Sequence, residues 1–141
     1  MRALQIIAAM AMFGGVLSHA AEQKIEAGPK GGRLLEKTDP KAEFFLEKDR
    51  TATITFYDAK LKPVSAKDQS LTVVAGKEKI DFEKKGDVLV SKSKLPDGDA
   101  LPIVVQYKAS ADAKPQNFRF KLDTHTCGGC KRAEYACTCD H

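Results

Sequence analysis

From Arg33 to Leu122 apolar side chains return at every second residue, and no stretch keeps a helical period. That alternation is the tightest constraint on the fold. Period two places one face of a strand on a core and the other towards water. Ala52, Ile54 and Phe56 form one such set, opposed by Thr51, Thr53, Thr55 and Tyr57. Ala42, Phe44 and Leu46 form another, opposed by Glu43, Phe45 and Glu47. Further inward sets are Leu71, Val73 and Ala75; Ile80 and Phe82; Val88 and Val90; Leu101, Ile103, Val105 and Tyr107; and Phe118, Phe120 and Leu122. Leu34-Leu35 adds a short edge strand. Turn signals separate the runs at Lys48-Asp49-Arg50, Gly76-Lys77, Lys85-Gly86 and Pro96-Asp97-Gly98.

Seven or eight strands in one short domain predict an all-β fold, an antiparallel immunoglobulin-like sandwich. A small closed barrel is the alternative, because strand count does not decide closure. Pro102 falls near the start of its strand, where a missing N–H is tolerated. The sandwich region holds no Cys, which excludes an inter-sheet disulfide.

The flanks read differently. Arg2 precedes an apolar run from Ala3 to Leu17, and Ser18-His19-Ala20 places small residues where a signal peptidase reads. Residues 1–20 are therefore expected to be a secretory signal peptide cleaved after Ala20. The run is short of the ~20 residues that span a bilayer, so no membrane span is expected after cleavage. Residues 21–32 carry Gly28-Pro29 and Gly31-Gly32 without apolar periodicity, and are expected to be a flexible leader. The sandwich is assigned to 33–122 and an irregular tail to 123–141. A net charge of +4 is a poor footprint for nucleic acid.

The tail carries the chemistry. Every Cys in the chain lies in it: Cys127, Cys130, Cys137 and Cys139, with His125 and His141 beside them. The pattern is C-x2-C, six residues, then C-x-C-x-H. Gly128-Gly129 is expected to give the first pair the backbone freedom to turn around one ion. Lys131 to Ala136 can reverse the chain and bring the second pair alongside. Four thiolates, or three with an imidazole, make a tetrahedral soft-ligand site. All three Met residues fall at or before Met12, so thioether copper sites drop out of the exported chain. The donors suit Zn(II) or Cu(I), and would also hold Cd(II). Asp123, Asp140 and the terminal carboxylate are expected to be solvated charges that can assist an incoming cation.

Two competing readings belong beside the metal. An even number of Cys in an exported chain is the usual mark of disulfides, here a stapled hairpin serving an interaction module. Cys127-Gly128-Gly129-Cys130 also has the C-x-x-C spacing of thiol oxidoreductases. That chemistry normally sets the first thiol at a helix N-terminus, and here the motif follows a strand. No Ser-His-Asp set appears, and the chain is read as non-enzymatic. Glu43 with Glu47, Asp97 with Asp99, and Lys84-Lys85 are expected to be exposed. Tyr57 and Phe45, on outward faces, are expected to be covered by the leader or the tail.

Gly31-Gly32-Arg33-Leu34-Leu35 entering the first strand, and Ile54-Thr55-Phe56-Tyr57-Asp58 followed by Lys62-Pro63-Val64, resemble small periplasmic β-sandwich proteins and domains associated with bacterial heavy-metal efflux and resistance. The resemblance covers about residues 30–122 and leaves out the Cys-rich tail, so it supplies no ligands. It implies a compact β-sandwich, a metal-related role, periplasmic or secreted location, and an envelope metal-efflux or metal-acceptor protein as partner. The expected function is soft-metal buffering, sequestration or delivery.

Overall fold

The computed structural model describes residues 24–140. The proposed signal peptide and His141 lie outside them. Nine strands follow in order: β1 (Arg33–Leu35), β2 (Lys41–Leu46), β3 (Ala52–Tyr57), β4 (Pro63–Val64), β5 (Ser70–Ala75), β6 (Glu78–Lys85), β7 (Val88–Ser91), β8 (Leu101–Lys108) and β9 (Gln116–Leu122). A 3-10 turn, Glu134–Ala136, is the last element. Each inward set predicted above falls on one strand, but on β7 the faces are reversed. Leu89 and Ser91 are buried there and Val88 and Val90 only partly so, because Leu89 stands opposite the core residue Ile54, which corrects the inward reading of Val88 and Val90. The two-residue β4, paired to β3, has too few residues to show an alternation.

All pairings are antiparallel, in the order β1-β2-β3-β7-β6-β5-β8-β9. β6 serves two sheets. Its first half pairs with β5, with Ala75 opposite Glu78 and Thr72 opposite Asp81. Its second half pairs with β7, with Phe82 opposite Ser91 and Lys85 opposite Val88. One layer is then β2-β3-β7-β6 and the other β5-β8-β9. Those are the places of strands A-B-E-D and C-F-G in an immunoglobulin constant-type sandwich. β1 extends the first layer at its edge.

The ladder path is open, with β1 and β9 as its ends. Side chains close the gap between them. Phe44 of β2 meets Phe120 of β9 edge-on at 5.5 Å, and the Arg33 guanidinium lies 4.7 Å from the Phe120 ring centre. Tyr135 of the 3-10 turn fills the rest, edge-on to Phe44 at 6.1 Å and stacked on Phe120 at 6.4 Å. Its hydroxyl accepts the Leu46 N–H at 3.1 Å, and its N–H donates to the Asp123 carbonyl at 3.0 Å. Tyr135 and Ala136 belong to the same apolar core as Phe44, Ile54, Phe56, Val105 and Leu122. The sequence boundary at 122 thus marks where alternation stops, while the packing runs on into the tail.

β3 is buried along its whole length, on both faces. The expectation that Thr53 and Thr55 face water is corrected, and the leader folds back over this side at Glu43 and Tyr57. The same cause corrects the exposed reading of Glu43, which has no exposed surface. Its carboxylate accepts the N–H of Lys30 at 3.0 Å, the N–H of Gly32 at 2.7 Å and the Tyr57 hydroxyl at 2.6 Å. A buried carboxylate persists only when donors replace its water, and these three do so. Burial and the adjoining Glu43 charge push the Tyr57 phenol well above its ordinary range.

The leader is accordingly ordered where it meets the sandwich. Gly28 donates to the Gly32 carbonyl at 2.9 Å, Gly31 to Gly28 at 2.9 Å, and Ala27 bridges Arg33. A Cβ on Gly28 would stand 2.1 Å from the Glu43 side chain, so only glycine admits the carboxylate there. Lys30 also holds its ammonium 5.9 Å from the Phe45 ring centre. Tyr57 and Phe45 are covered by the leader, as the sequence reading expects.

Two stability predictions follow from this packing. Glu43→Ala strands three donors and should destabilise the fold by about 3 kcal/mol or more, while half-buried Glu47→Ala should cost about 0.5 kcal/mol. Tyr135→Ala empties the seam and should cost about 3–5 kcal/mol. Urea unfolding followed by far-ultraviolet circular dichroism measures all three. Equal costs for the two glutamates would show that the leader does not hold Glu43.

Candidate metal centre

The tail leaves β9 at Leu122 and turns at once. Asp123 accepts the His125 N–H at 3.0 Å and lies 2.8 Å from the His125 Nδ1. This side-chain bond and the adjoining carboxylate charge raise the His125 pKa. The exposed imidazole is thus oriented by Asp123.

Next comes a narrow hairpin. Thr126 bridges Ala133, Cys127 donates to the Arg132 carbonyl at 2.7 Å, and Lys131 donates back to Cys127 at 3.0 Å. Cys127 and Cys130 sit at its tip. The left-handed residue of this turn is Lys131, at φ 62°. Gly128 and Gly129 do not adopt positive φ, which corrects the expectation that glycine is needed here for backbone freedom. Gly129 matters for space instead. A Cβ on it would lie 3.0 Å from the Cys139 sulfur, whereas a Cβ on Gly128 would meet nothing within 4 Å.

The 3-10 turn then reverses the chain. Glu134 donates to the His125 carbonyl at 2.9 Å and Cys137 to the Glu134 carbonyl at 3.1 Å. With Tyr135 anchored in the seam, Cys137 and Cys139 are carried back to the hairpin tip. All four sulfurs lie within 4.8 Å of one another. Cys130 and Cys137 are 3.5 Å apart, and Cys127 and Cys139 are 3.9 Å apart. No disulfide joins them. Cys127 and Cys137 are buried, and Cys130 and Cys139 are half-exposed.

This spacing matches one tetrahedral ion. Zn–S bonds of about 2.3 Å set neighbouring sulfurs about 3.8 Å apart around a tetrahedral centre. The backbone is arranged for negative charge on sulfur. The N–H of Arg132, joined by that of Thr138, holds the Cys130 thiol down at about 6 against the opposing effect of burial. Cys139 donates its N–H to the Cys137 sulfur at 3.4 Å. That bond favours the Cys137 thiolate, yet burial and the three neighbouring sulfurs prevail and push the thiol up to about 12. The Cys137 sulfur lowers the Cys139 pKa, but the Cys127 and Cys130 sulfurs raise it further. Cys130 is thus accommodated as a thiolate near neutrality, while Cys137 and Cys139 hold their protons more tightly than an ordinary thiol.

Of the residues singled out in the sequence, the four cysteines come together and His125 is not among the group. Lys131 and Arg132, directly after Cys130, add positive charge at its edge. Sequence reasoning passed over Tyr135 as an anchor; the signal for it is a lone aromatic inside an otherwise polar tail. The C-x-x-C turn caps a hairpin, and no α-helix occurs among the described residues. None of their helices is long and apolar enough to cross a membrane. Comparisons with protein-family models, curated proteins and solved structures return no match.

The thiol chemistry is directly measurable. In the metal-free, reduced protein, Cys130 should be alkylated first, with a rate that rises with pH about a midpoint near 6. Cys137 should stay unmodified throughout the neutral range. Peptide mapping after timed iodoacetamide pulses distinguishes the sites, and uniform labelling of all four would refute this asymmetry.

Proposed function

We propose that this chain is an exported, non-enzymatic protein that binds one soft metal ion through Cys127, Cys130, Cys137 and Cys139. The observation that carries the reading is the approach of four sulfurs to within 4.8 Å around a gap of single-ion size. Zn(II) is the favoured ion, since four thiolates complete its tetrahedral shell. Cu(I) and Cd(II) share the preference for sulfur. His125, oriented by Asp123, stands outside this ligand set, and His141 is not needed to fill it.

The two half-exposed sulfurs, Cys130 and Cys139, support a role in holding an ion and passing it on. An incoming thiolate can add on that side before a protein thiolate leaves. Cys127 and Cys137, both buried, keep the ion from being lost outright. Buffering or delivery in the periplasm is the corresponding role, with an envelope metal-acceptor protein as partner. The expected signal peptide supports that location. The 3.5 Å approach of Cys130 to Cys137 favours one second reading, in which oxidation staples the two motifs together and the tail serves as an interaction module.

Native mass spectrometry of the protein isolated from the periplasm without reductant separates the two readings. Bound metal with four reduced cysteines supports the first; two disulfides and no metal support the second. In the reduced protein, one Zn(II) should bind per chain and release protons, because Cys137 and Cys139 hold theirs at neutral pH. Apparent affinity should therefore rise with pH. Competition with a colorimetric chelator should show loss of tight binding in Cys127→Ser with Cys130→Ser and little change in His125→Ala. Gly129→Ala should weaken binding more than Gly128→Ala, since only the former crowds a sulfur. Retention of parent affinity by the quadruple Cys→Ser protein would end the metal reading.

A further inference from the structure

The chain's excess positive charge is gathered in one place. A groove of about 560 Å³ runs between the leader turn, the end of β2 and the tail hairpin. Lys30, Lys48, Arg50, Lys131 and Arg132 line it against the single carboxylate of Glu47. That local excess of four is as large as the net charge of +4 of the full sequence. Three segments distant in sequence supply these cations, which is why the linear pattern shows no basic cluster.

Not all five are available to a ligand. Arg50 is engaged with Asp97 at 3.2 Å and with the Leu95 and Pro96 carbonyls, and Lys131 donates to the Gly128 carbonyl at 2.7 Å. Lys48 and Arg132 form no salt bridge among the described residues. They line the groove together with half-buried Phe45 and Leu46. The lining is thus both apolar and cationic, and Glu47, whose carboxylate accepts the Thr53 hydroxyl at 3.4 Å, adds one acceptor. Those features fit an extended acidic peptide with alternating apolar side chains. A polyphosphate backbone fits less well: the groove is short, it offers few free cations, and Glu47 repels phosphate.

We infer that this groove is a docking surface for an acidic, partly apolar segment of a partner protein. The docking itself stands on charge and shape and does not depend on an ion at the four sulfurs.

The test uses the full chain and a short fluorescein-labelled peptide of alternating Glu and Leu, followed by fluorescence anisotropy. The peptide should bind, weaken with added salt, and lose about tenfold in affinity in Lys48→Glu with Arg132→Glu. Lys77→Glu with Lys84→Glu makes the same charge change away from the groove and should leave binding within about twofold. Should the first variant misfold by circular dichroism, Lys48→Gln with Arg132→Gln carries the same expectation. Three results overturn the proposal: no binding of the acidic peptide, equal loss in both double variants, or tighter binding of a single-stranded oligonucleotide of matched charge.

Discussion

The architecture depends on how the open seam between β1 and β9 is filled. An antiparallel sandwich with unpaired end strands leaves backbone groups and apolar side chains to be covered. Here Tyr135 does this from outside the strand pattern, stacking on Phe120, meeting Phe44 edge-on and accepting the Leu46 N–H. Aromatic pairs of this kind contribute about 0.5–1.5 kcal/mol each beyond the area they bury. The same residue anchors the chain reversal between the two thiol pairs. Sandwich closure and assembly of the four-sulfur group therefore share one contact, although they lie in segments that the sequence pattern separates.

A second dependence runs through Glu43. Its buried carboxylate binds the leader turn to β2 and β3 through two backbone N–H groups and the Tyr57 hydroxyl. The leader in turn covers the outer face of β3 at Tyr57. A carboxylate inside the protein usually suggests catalysis or a cation, but this one is satisfied by three donors. Its role is to hold a polar turn against a strand that would otherwise face water.

The thiol group combines these supports with its own electrostatics. Four thiolates on one ion leave net negative charge, and the surroundings supply donors for it: the Arg132, Thr138 and Cys139 N–H groups aimed at sulfur. His125 is held by Asp123 and is not in the group. Among the described residues four sulfurs stand together, two of them buried and two half-exposed.

Eight of the nine strands and the turns between them were legible in the sequence, because side chains on a strand alternate faces whatever the strand packs against; the two-residue β4 is too short to show an alternation, and on β7 the period was legible but the inward face was not. The composition of the thiol group was equally legible, since ligand chemistry depends on residue type. What could not be read there depends on which segments meet. Glu43 and Tyr57 look solvent-facing until the leader folds over them, and Tyr135 looks like a loop aromatic until the seam exists to receive it. Gly128-Gly129 looks like a source of backbone freedom, but the strained position is Lys131, and Gly129 is required by a sulfur arriving from ten residues away in the chain. The cations of the groove are dispersed along the sequence and meet only in space. Alternation and donor chemistry are properties of single segments; burial, charge clustering and the exclusion of His125 arise only when distant segments pack together.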